Sequence, residues 1–317
     1  MFKNIMKWML IMTVMITFSS NSWFIFWLMM EFNLLVFIPI LNLKKKINAN
    51  CMITYFVIQS FSSALFLISM LNLNIFNENF FEFLIMISMM IKLAVIPFHF
   101  WLTNLSEMID FDSLFLILSI QKLIPLFIMT FINLEIMIIF AMMSAIFGSL
   151  FVFNLKMTKK ILIFSSISHQ GWMIALILSK SNFWLIYMLI YSVLIMKISF
   201  FLKKGKYQIF SDFYKIKKPL NEKILFCSLM LSLGGMPPFL GFIMKLISII
   251  ILKSSLLIII LIISSMLNIF IYLRMMNSFL FLNSTILKNF FFNNYLYKHL
   301  FININMLISI FIINNLM

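Results

Sequence analysis

The chain has 317 residues; 64% are hydrophobic, 10% are charged, the mean hydropathy is +1.11 and the formal net charge is +15. This composition excludes a soluble globular protein, which needs a polar surface that these residues cannot supply. Apolar runs of about 20 residues, the length that a helix needs to cross the hydrocarbon core, recur along the sequence, without the alternation typical of membrane β-strands. We therefore predict an all-α membrane protein, with residues 1–317 forming a single integral membrane domain.

The apolar runs predict a bundle of about eleven transmembrane helices. In chain order they cover residues 5–20, 23–43, 51–71, 80–102, 112–132, 135–153, 160–179, 183–203, 222–252, 255–278 and 299–314. The ninth is predicted to be broken, because glycines at 234 and 235 and prolines at 237 and 238 interrupt it. Pro97 and Pro125 remove helical N–H groups and leave the carbonyls of Leu93 and Gln121 without a helical partner, or else they only kink their helices.

The basic residues outside the apolar runs collect on one aqueous side. If the sides alternate from the N-terminus, which we place on side A, then side B holds only Lys180 and Lys253. This asymmetry predicts that side A faces the compartment where the chain is made, and it accounts for the basic charge without nucleic acid. Side A also carries an acidic loop, predicted to be a subunit contact or a solvated face, with Glu107, Asp110 and Asp112.

Five ionisable residues lie inside the apolar runs: Glu31, Lys92, Lys122, Lys197 and Lys245. A charge near the bilayer centre costs roughly 2.5–3.5 kcal/mol on insertion scales, so such residues usually mark an ion or proton pathway. At about 1.5 Å per residue, Glu31 lies roughly 12 Å and Lys122 roughly 15 Å into their helices. Lys197 is close to a helix end, where its long stem allows the amine to reach the interface.

Glu31, Lys92 and Lys122 therefore predict a relay of protonatable groups at one depth of the membrane. Burial and a nearby carboxylate act in opposite directions on the affinity of a lysine for its proton. A change in the Glu31–Lys92 distance would then release or take up a proton, although Glu31 could instead be a structural counter-ion. His99 and His169 are candidates to pass protons between lysines, or neutral hydrogen-bonding residues of the core.

The sequence predicts no bound metal or redox cofactor on this chain. Cys51 and Cys227 are too few for a disulfide framework or a metal site, and neither His99 nor His169 has a cysteine or a carboxylate clustered near it in the sequence. There is no Gly-rich phosphate loop and no dinucleotide-binding fingerprint. The abundance of Phe and Met, beside a single arginine, indicates an AT-rich genome such as that of an organelle, so we interpret the Met and Phe positions as lipid-facing.

Several of these segments, in this order, resemble a known family. They are Trp-Leu-Met-Met-Glu31-Phe-Asn, Ile-Lys92-Leu-Ala-Val-Ile-Pro97-Phe-His99-Phe-Trp, Ile-Gln-Lys122-Leu-Ile-Pro125, Ser-His169-Gln-Gly-Trp and Leu-Gly-Gly-Met-Pro-Pro-Phe-Leu-Gly-Phe-Ile-Met-Lys245. Together they are similar to the subunit 2 family of mitochondrial respiratory complex I, over about residues 20–275. The segment 277–300 does not match that family closely.

The resemblance implies an antiporter-like, proton-pumping subunit of NADH:ubiquinone reductase. It implies an ion pair at Glu31 and Lys92, a central relay lysine at Lys122 and a terminal lysine at Lys245, with His99 and His169 as intervening polar positions. It implies a multi-pass protein of the mitochondrial inner membrane with side A, and so the N-terminus, in the matrix. NAD, FMN, iron–sulfur clusters and ubiquinone are expected in other subunits, and the expected partners are other membrane subunits of complex I and phospholipids.

Two alternatives stay open at this point. One is a free-standing cation/proton antiporter, which would have to work without partners. The other is a structural membrane spacer, which would leave the cost of burying Glu31, Lys92 and Lys122 without an explanation.

Overall fold

The apolar runs form helices throughout the part of the chain that the structure describes. The structure is a computed structural model, and it describes residues 2–41, 48–73, 78–132, 134–215, 220–252 and 255–280. Helices α1 to α7 are Phe2–Ser19, Trp23–Leu41, Asn48–Asn72, Glu78–Leu93, Phe100–Leu105, Phe111–Leu118 and Ile120–Met129. Helices α8 to α14 are Met137–Leu150, Thr158–Leu178, Phe183–Gly205, Phe210–Lys215, Leu220–Gly234, Leu240–Ile251 and Ser255–Leu280.

This architecture confirms the predicted all-α membrane class. Within the described residues, six segments are long and apolar enough to cross a membrane, by length and composition: Trp23–Leu41, Met52–Asn72, Phe111–Met129, Thr158–Leu178, Phe183–Gly205 and Leu256–Asn277. Met137–Leu150 and Leu240–Ile251 are shorter apolar helices. The last predicted helix, 299–314, lies outside the described residues.

The fourth predicted helix is shorter than expected. It was predicted to reach residue 102, but α4 ends at Leu93 and the chain resumes helical geometry only at α5. The break follows from Ala94, which has a φ of 57°, and from Pro97, which cannot donate a helical N–H. The carbonyl of Leu93 was predicted to lose its helical partner, and the Gln170 side-chain amide donates a hydrogen bond to it at 2.8 Å.

The fifth predicted helix is broken at a position that the sequence did not indicate. α6 ends at Leu118 and α7 begins at Ile120, whereas Pro125 lies within α7. At the junction Ser119 has φ −119° and ψ −84°, and its hydroxyl donates a hydrogen bond to the carbonyl of Phe115 at 2.7 Å. A serine that bonds to a carbonyl in the preceding turn favours such a bend.

The ninth predicted helix is broken as expected. α12 ends at Gly234 and α13 begins at Leu240. Gly235 between them has a φ of 82°, a conformation that glycine adopts without the steric cost of a Cβ atom. Backbone that leaves helical geometry at membrane depth must be satisfied by protein or by water, and this break lies beside a predicted relay residue.

Helix α9 is the central helix of the bundle, and the polar side chains of the interior concentrate on it. It is buried along almost its whole length and packs against α8, α10 and α14. Its backbone comes very close to α8, since a Cβ atom at Gly148 would lie 2.8 Å from the Ser168 nitrogen and one at Gly171 would lie 2.8 Å from the Ala141 carbonyl oxygen. Only glycine permits this approach at both positions. The buried polar residues in the middle of α9 are Ser165, Ser166, Ser168, His169 and Gln170.

The acidic loop of side A binds lysines of the same chain. Glu107 and Lys160 form an ion pair at 2.5 Å, and Asp112 pairs with Lys203. The Glu107 and Asp112 side chains remain partly exposed, at 48% and 39%, as expected for a solvated face. The loop that precedes α6 is thus attached to the N-terminal end of α9, and the first turn of α6 to the C-terminal end of α10.

The single arginine closes the C-terminal end of α8. Arg274 donates hydrogen bonds to the carbonyls of Val152 (3.3 Å) and Leu155 (3.1 Å), and also to that of Phe153. These carbonyls follow the last turn of α8, beyond the helical hydrogen bonds. The Leu155 N–H also bonds to the Val152 carbonyl, so the guanidinium matters most for the carbonyls of Phe153 and Leu155. A planar guanidinium can serve several acceptors at fixed angles, which a lysine ammonium does less well.

We expect Arg274→Gln to lower the free energy of unfolding by about 2 kcal/mol, because it removes the guanidinium donors to the carbonyls of Phe153 and Leu155. Thermal unfolding of the detergent-extracted protein measures this loss. Lys156→Gln in the same loop is the matched control, because the Lys156 side chain is exposed. Equal stability of the two variants would contradict the role of Arg274.

Candidate functional site

Glu31 lies half-buried on α2, near the beginning of a row of ionisable groups. The hydroxyl of Ser63 on α3 donates a hydrogen bond to its carboxylate. The carboxylate is near enough to act electrostatically on Lys92, but among the described residues these two side chains do not form an ion pair within 4 Å. In this structure the predicted pair is therefore separated, with Ser63 as the direct partner of Glu31.

Lys92 lies in the last turn of α4, directly before the helix break, and it is buried. A cation is favoured at this position because helix C-termini carry partial negative charge. Its side chain lines a cavity of about 20 Å³, enough for one water molecule. Lys122 lines the same cavity, so the structure brings the two predicted relay lysines to one polar site. The other polar residues that line it are Asn33, Tyr55, Gln59 and Gln121.

Lys122 is the most deeply buried of the predicted relay lysines, with 3% exposure. It lies in the first turn of α7, just after the break at Ser119. Its amine donates a hydrogen bond to the hydroxyl of Ser166 on α9, over 3.0 Å. The unpredicted break thus determines where Lys122 meets the central helix.

His169 continues the row on α9. Its Nδ1 lies 2.8 Å from the hydroxyl oxygen of Tyr187 on α10, and Nε2 is buried with no hydrogen-bond partner in the part of the chain that is described. Lys122 and Lys245 both act on it electrostatically. The imidazole is thus near both the central and the terminal lysine, and its role in a relay stays a prediction.

Lys245 lies on α13 and reaches back to the break in the predicted ninth helix. Its amine donates a hydrogen bond to the carbonyl of Gly234, the last residue of α12. A Cβ atom at Gly235 would lie 2.9 Å from the Lys245 amine, so a glycine here allows the lysine to approach the backbone. The lysine thus provides the donor that the broken helix lacks.

His99 and Lys197 lie outside this row. The His99 ring packs against Phe100, Phe151 and Phe164, with centroid separations of 4.2, 5.7 and 5.7 Å, so its contacts are those of an aromatic core residue. Lys197 is exposed on α10 and lines a groove of about 230 Å³ together with Lys204. This placement agrees with an amine that reaches toward the membrane interface.

Sequence reasoning missed the uncharged residues that connect the ionisable ones. Single serines, amides and tyrosines inside apolar helices carry little signal, since each is common in membrane helices as a packing residue. One usable signal was position, because Asn33 and Gln121 lie within two residues of predicted relay residues. The residues missed are Asn33, Tyr55, Ser63, Gln121, Ser166 and Tyr187.

Comparison with known proteins gives matches to membrane subunits of one class. Residues 71–271 match the family described as NADH:quinone oxidoreductase/Mrp antiporter, TM. NADH-ubiquinone oxidoreductase chain 2 of Rhipicephalus sanguineus is 46% identical over 281 residues, which are 88% of this chain and 90% of that protein. The protein of the same name from Anopheles gambiae is 33% identical over 91% of this chain and 90% of its own length.

Two solved structures share the fold at low sequence identity. A chain of respiratory complex I from Thermus thermophilus superposes with a TM-score of 0.75 at 18% identity, over 82% of this chain and 66% of that one. A chain of the Mrp complex from Dietzia sp. DQ12-45-1b gives a TM-score of 0.73 at 16% identity, over 84% of this chain and 58% of that one. This chain thus spans about two thirds or less of those two chains.

Proposed function

Because the chain belongs to the NADH-ubiquinone oxidoreductase chain 2 family, within the NADH:quinone oxidoreductase/Mrp antiporter class, we propose that it is the proton-translocating membrane subunit of mitochondrial complex I. In this proposal it carries protons through Glu31, Lys92, Lys122, His169 and Lys245. The observation that supports this assignment is the row of buried protonatable groups, three lysine amines and the His169 imidazole. Four different helices, α4, α7, α9 and α13, each contribute one protonatable group to it. A spacer would have no use for three buried lysines.

The contacts in this row suggest the order of proton transfer. A charge change at a neighbouring subunit moves Glu31 relative to Lys92, and Lys92 then releases one proton to the cavity water. A proton passes from that water to the neutral amine of Lys122, which in turn gives up a proton toward His169. Lys245 exchanges protons with one aqueous side. Electron transfer from NADH to ubiquinone takes place in other subunits, which hold the NAD, FMN, iron–sulfur and ubiquinone sites.

The proposal also includes location and partners. The chain spans the mitochondrial inner membrane several times with its N-terminus in the matrix, which the distribution of lysines on side A supports. Its partners are the other membrane subunits of complex I and phospholipids. His99, packed among phenylalanines, is assigned to a structural role beside the pathway.

We expect Tyr187→Phe to lower NADH-driven proton transport about tenfold, because the change removes the hydroxyl that bonds to His169 Nδ1 and one hydrogen bond of this kind is worth about 1 kcal/mol or more. Proton uptake by vesicles that contain the assembled complex measures the effect. Tyr207→Phe on side A is the control and should retain transport. Normal transport by Tyr187→Phe would remove His169 from the proposed pathway.

The assignment itself is tested with gently solubilised mitochondrial membranes, separated on a native gel and stained for NADH oxidation. The expected result is that peptides of this chain occur in a very large NADH-oxidising band. If the peptides instead migrate alone, away from that band, the chain is a free-standing transporter and the proposal is wrong.

A further inference from the structure

Helix α2 contacts two different helices through two polar residues on its opposite faces. Glu31 accepts a hydrogen bond from Ser63 on α3, and Asn33 forms hydrogen bonds with Gln121 on α7. Two residues along a helix are separated by about 200° around its axis, which places these contacts on opposite sides of α2. Any shift or rotation of α2 that changes the Glu31 contact therefore also changes the Asn33 contact.

The Asn33–Gln121 contact is a reciprocal amide pair. The Asn33 amide nitrogen donates to the Gln121 oxygen over 2.8 Å, and the Gln121 nitrogen donates to the Asn33 oxygen over 3.1 Å. The Tyr55 hydroxyl donates to the same Gln121 oxygen over 3.5 Å. Asn33 has 5% exposure, so in a helix that faces apolar surroundings its amide depends on Gln121 for its hydrogen bonds.

This amide pair borders the cavity between Lys92 and Lys122. Asn33 and Gln121 both line the 20 Å³ space that the two lysines share. While the amides bond to each other, they use one donor and one acceptor each and leave fewer groups to hold water. When they separate, each amide must find another partner, and water in an enlarged cavity is the partner available.

We propose that the Asn33–Gln121 amide pair is the element through which movement of the Glu31 helix controls hydration between Lys92 and Lys122. This inference rests on the proposed function. Asn33 and Gln121 act as positioning residues. While the two amides are bonded to each other, the cavity holds about one water molecule. When they separate, the cavity admits the further water that proton transfer between the lysines needs. A shift of α2 that moves Glu31 relative to Lys92 also separates the two amides.

The test is a swap cycle in the assembled complex. Asn33→Gln and Gln121→Asn singly change the length of one partner and misalign the pair, whereas the double swap restores the combined length and both amides. We expect each single variant to assemble and to lower NADH-driven proton transport about tenfold, and the double variant to recover to within about threefold of the wild type. The number of protons moved per NADH oxidised is measured in the same vesicles.

An apolar replacement of Asn33 distinguishes a positioning role of this residue from a role in packing alone. Asn33→Leu keeps the branching of the side chain but cannot bond to Gln121. We expect it to lower the number of protons per NADH while the assembled amount on a native gel stays normal. Asn33→Leu with wild-type proton yield overturns the inference. A double swap that is as defective as the single changes also overturns it, since a hydrogen-bonded amide pair of restored combined length should recover. Loss of assembly in all variants overturns it too, because it would make the pair a structural contact.

The outcome distinguishes this inference from the proposed function. If removal of the Lys122 amine stops proton transport while all of the Asn33 and Gln121 variants behave as wild type, only the inference fails. If removal of the Lys122 amine has no effect, the pathway itself is wrong, whatever the amide variants do.

Discussion

Lys122→Met should lower NADH-driven proton transport about a hundredfold, the lower end of what a positioned proton-transferring group contributes. The amine is the central group of the row, bonded to Ser166 and adjacent to the cavity that it shares with Lys92. A methionine has a similar length and cannot carry a proton. Proton uptake and NADH oxidation by vesicles that contain the complex are the measurements.

The same substitution should leave assembly intact, because replacing a buried amine with an apolar side chain removes a desolvation cost. The amount of complex on a native gel checks this point. Lys197→Met is the matched control: it also removes an amine from an apolar helix, but from an exposed position outside the row, and it should keep transport within about twofold of wild type. Wild-type transport by Lys122→Met would exclude the proposed mechanism.

Gly241→Ala should prevent the chain from accumulating in the assembled complex. A Cβ atom at this position would lie 1.5 Å from the carbonyl oxygen of Ser232, and backbone cannot move aside as a flexible side chain can. The substitution would push α13 away from α12 at the break where Lys245 binds the Gly234 carbonyl. The measurement is the quantity of this chain in the large NADH-oxidising band.

Gly234→Ala provides the comparison within the same break. Its Cβ atom would lie 3.3 Å from the Tyr272 ring and 3.4 Å from an Ile269 side-chain carbon, contacts that small side-chain shifts can relieve. We expect this variant to accumulate normally. If Gly241→Ala also accumulates normally, the two half-helices are less tightly packed than the structure indicates.

The sequence predicted the helices and the charged site residues because both signals are large in a membrane protein. A 20-residue apolar run has few alternatives to a spanning helix, and a lysine inside such a run stands out against its surroundings. Lys122, His169 and Lys245 could therefore be identified as candidates, and the structure places them along one row. Their roles in transport stay predictions.

The positions of the helix breaks and the uncharged connections could not be predicted in the same way. A proline in the sequence indicates a missing hydrogen bond but not the residue at which the helix opens, since neighbouring helices decide which carbonyl finds a new donor. For this reason α6 and α7 separate at Ser119 rather than at Pro125. The Gln170 contact with Leu93 and the Asn33–Gln121 pair join residues far apart in sequence, and only tertiary packing brings them together.

The close approach of α8 and α9 also has a consequence for how the chain is built. Helix α9 carries serines, a histidine and a glutamine that lipid cannot solvate. The free energy of this helix in the bilayer is therefore unfavourable unless another helix packs against it. Gly148 and Gly171 allow α8 to shield it through backbone contact. We expect these two helices to enter the membrane as one hairpin during synthesis. Larger residues at both glycines should leave the newly made chain open to membrane proteases, which pulse-chase labelling would detect.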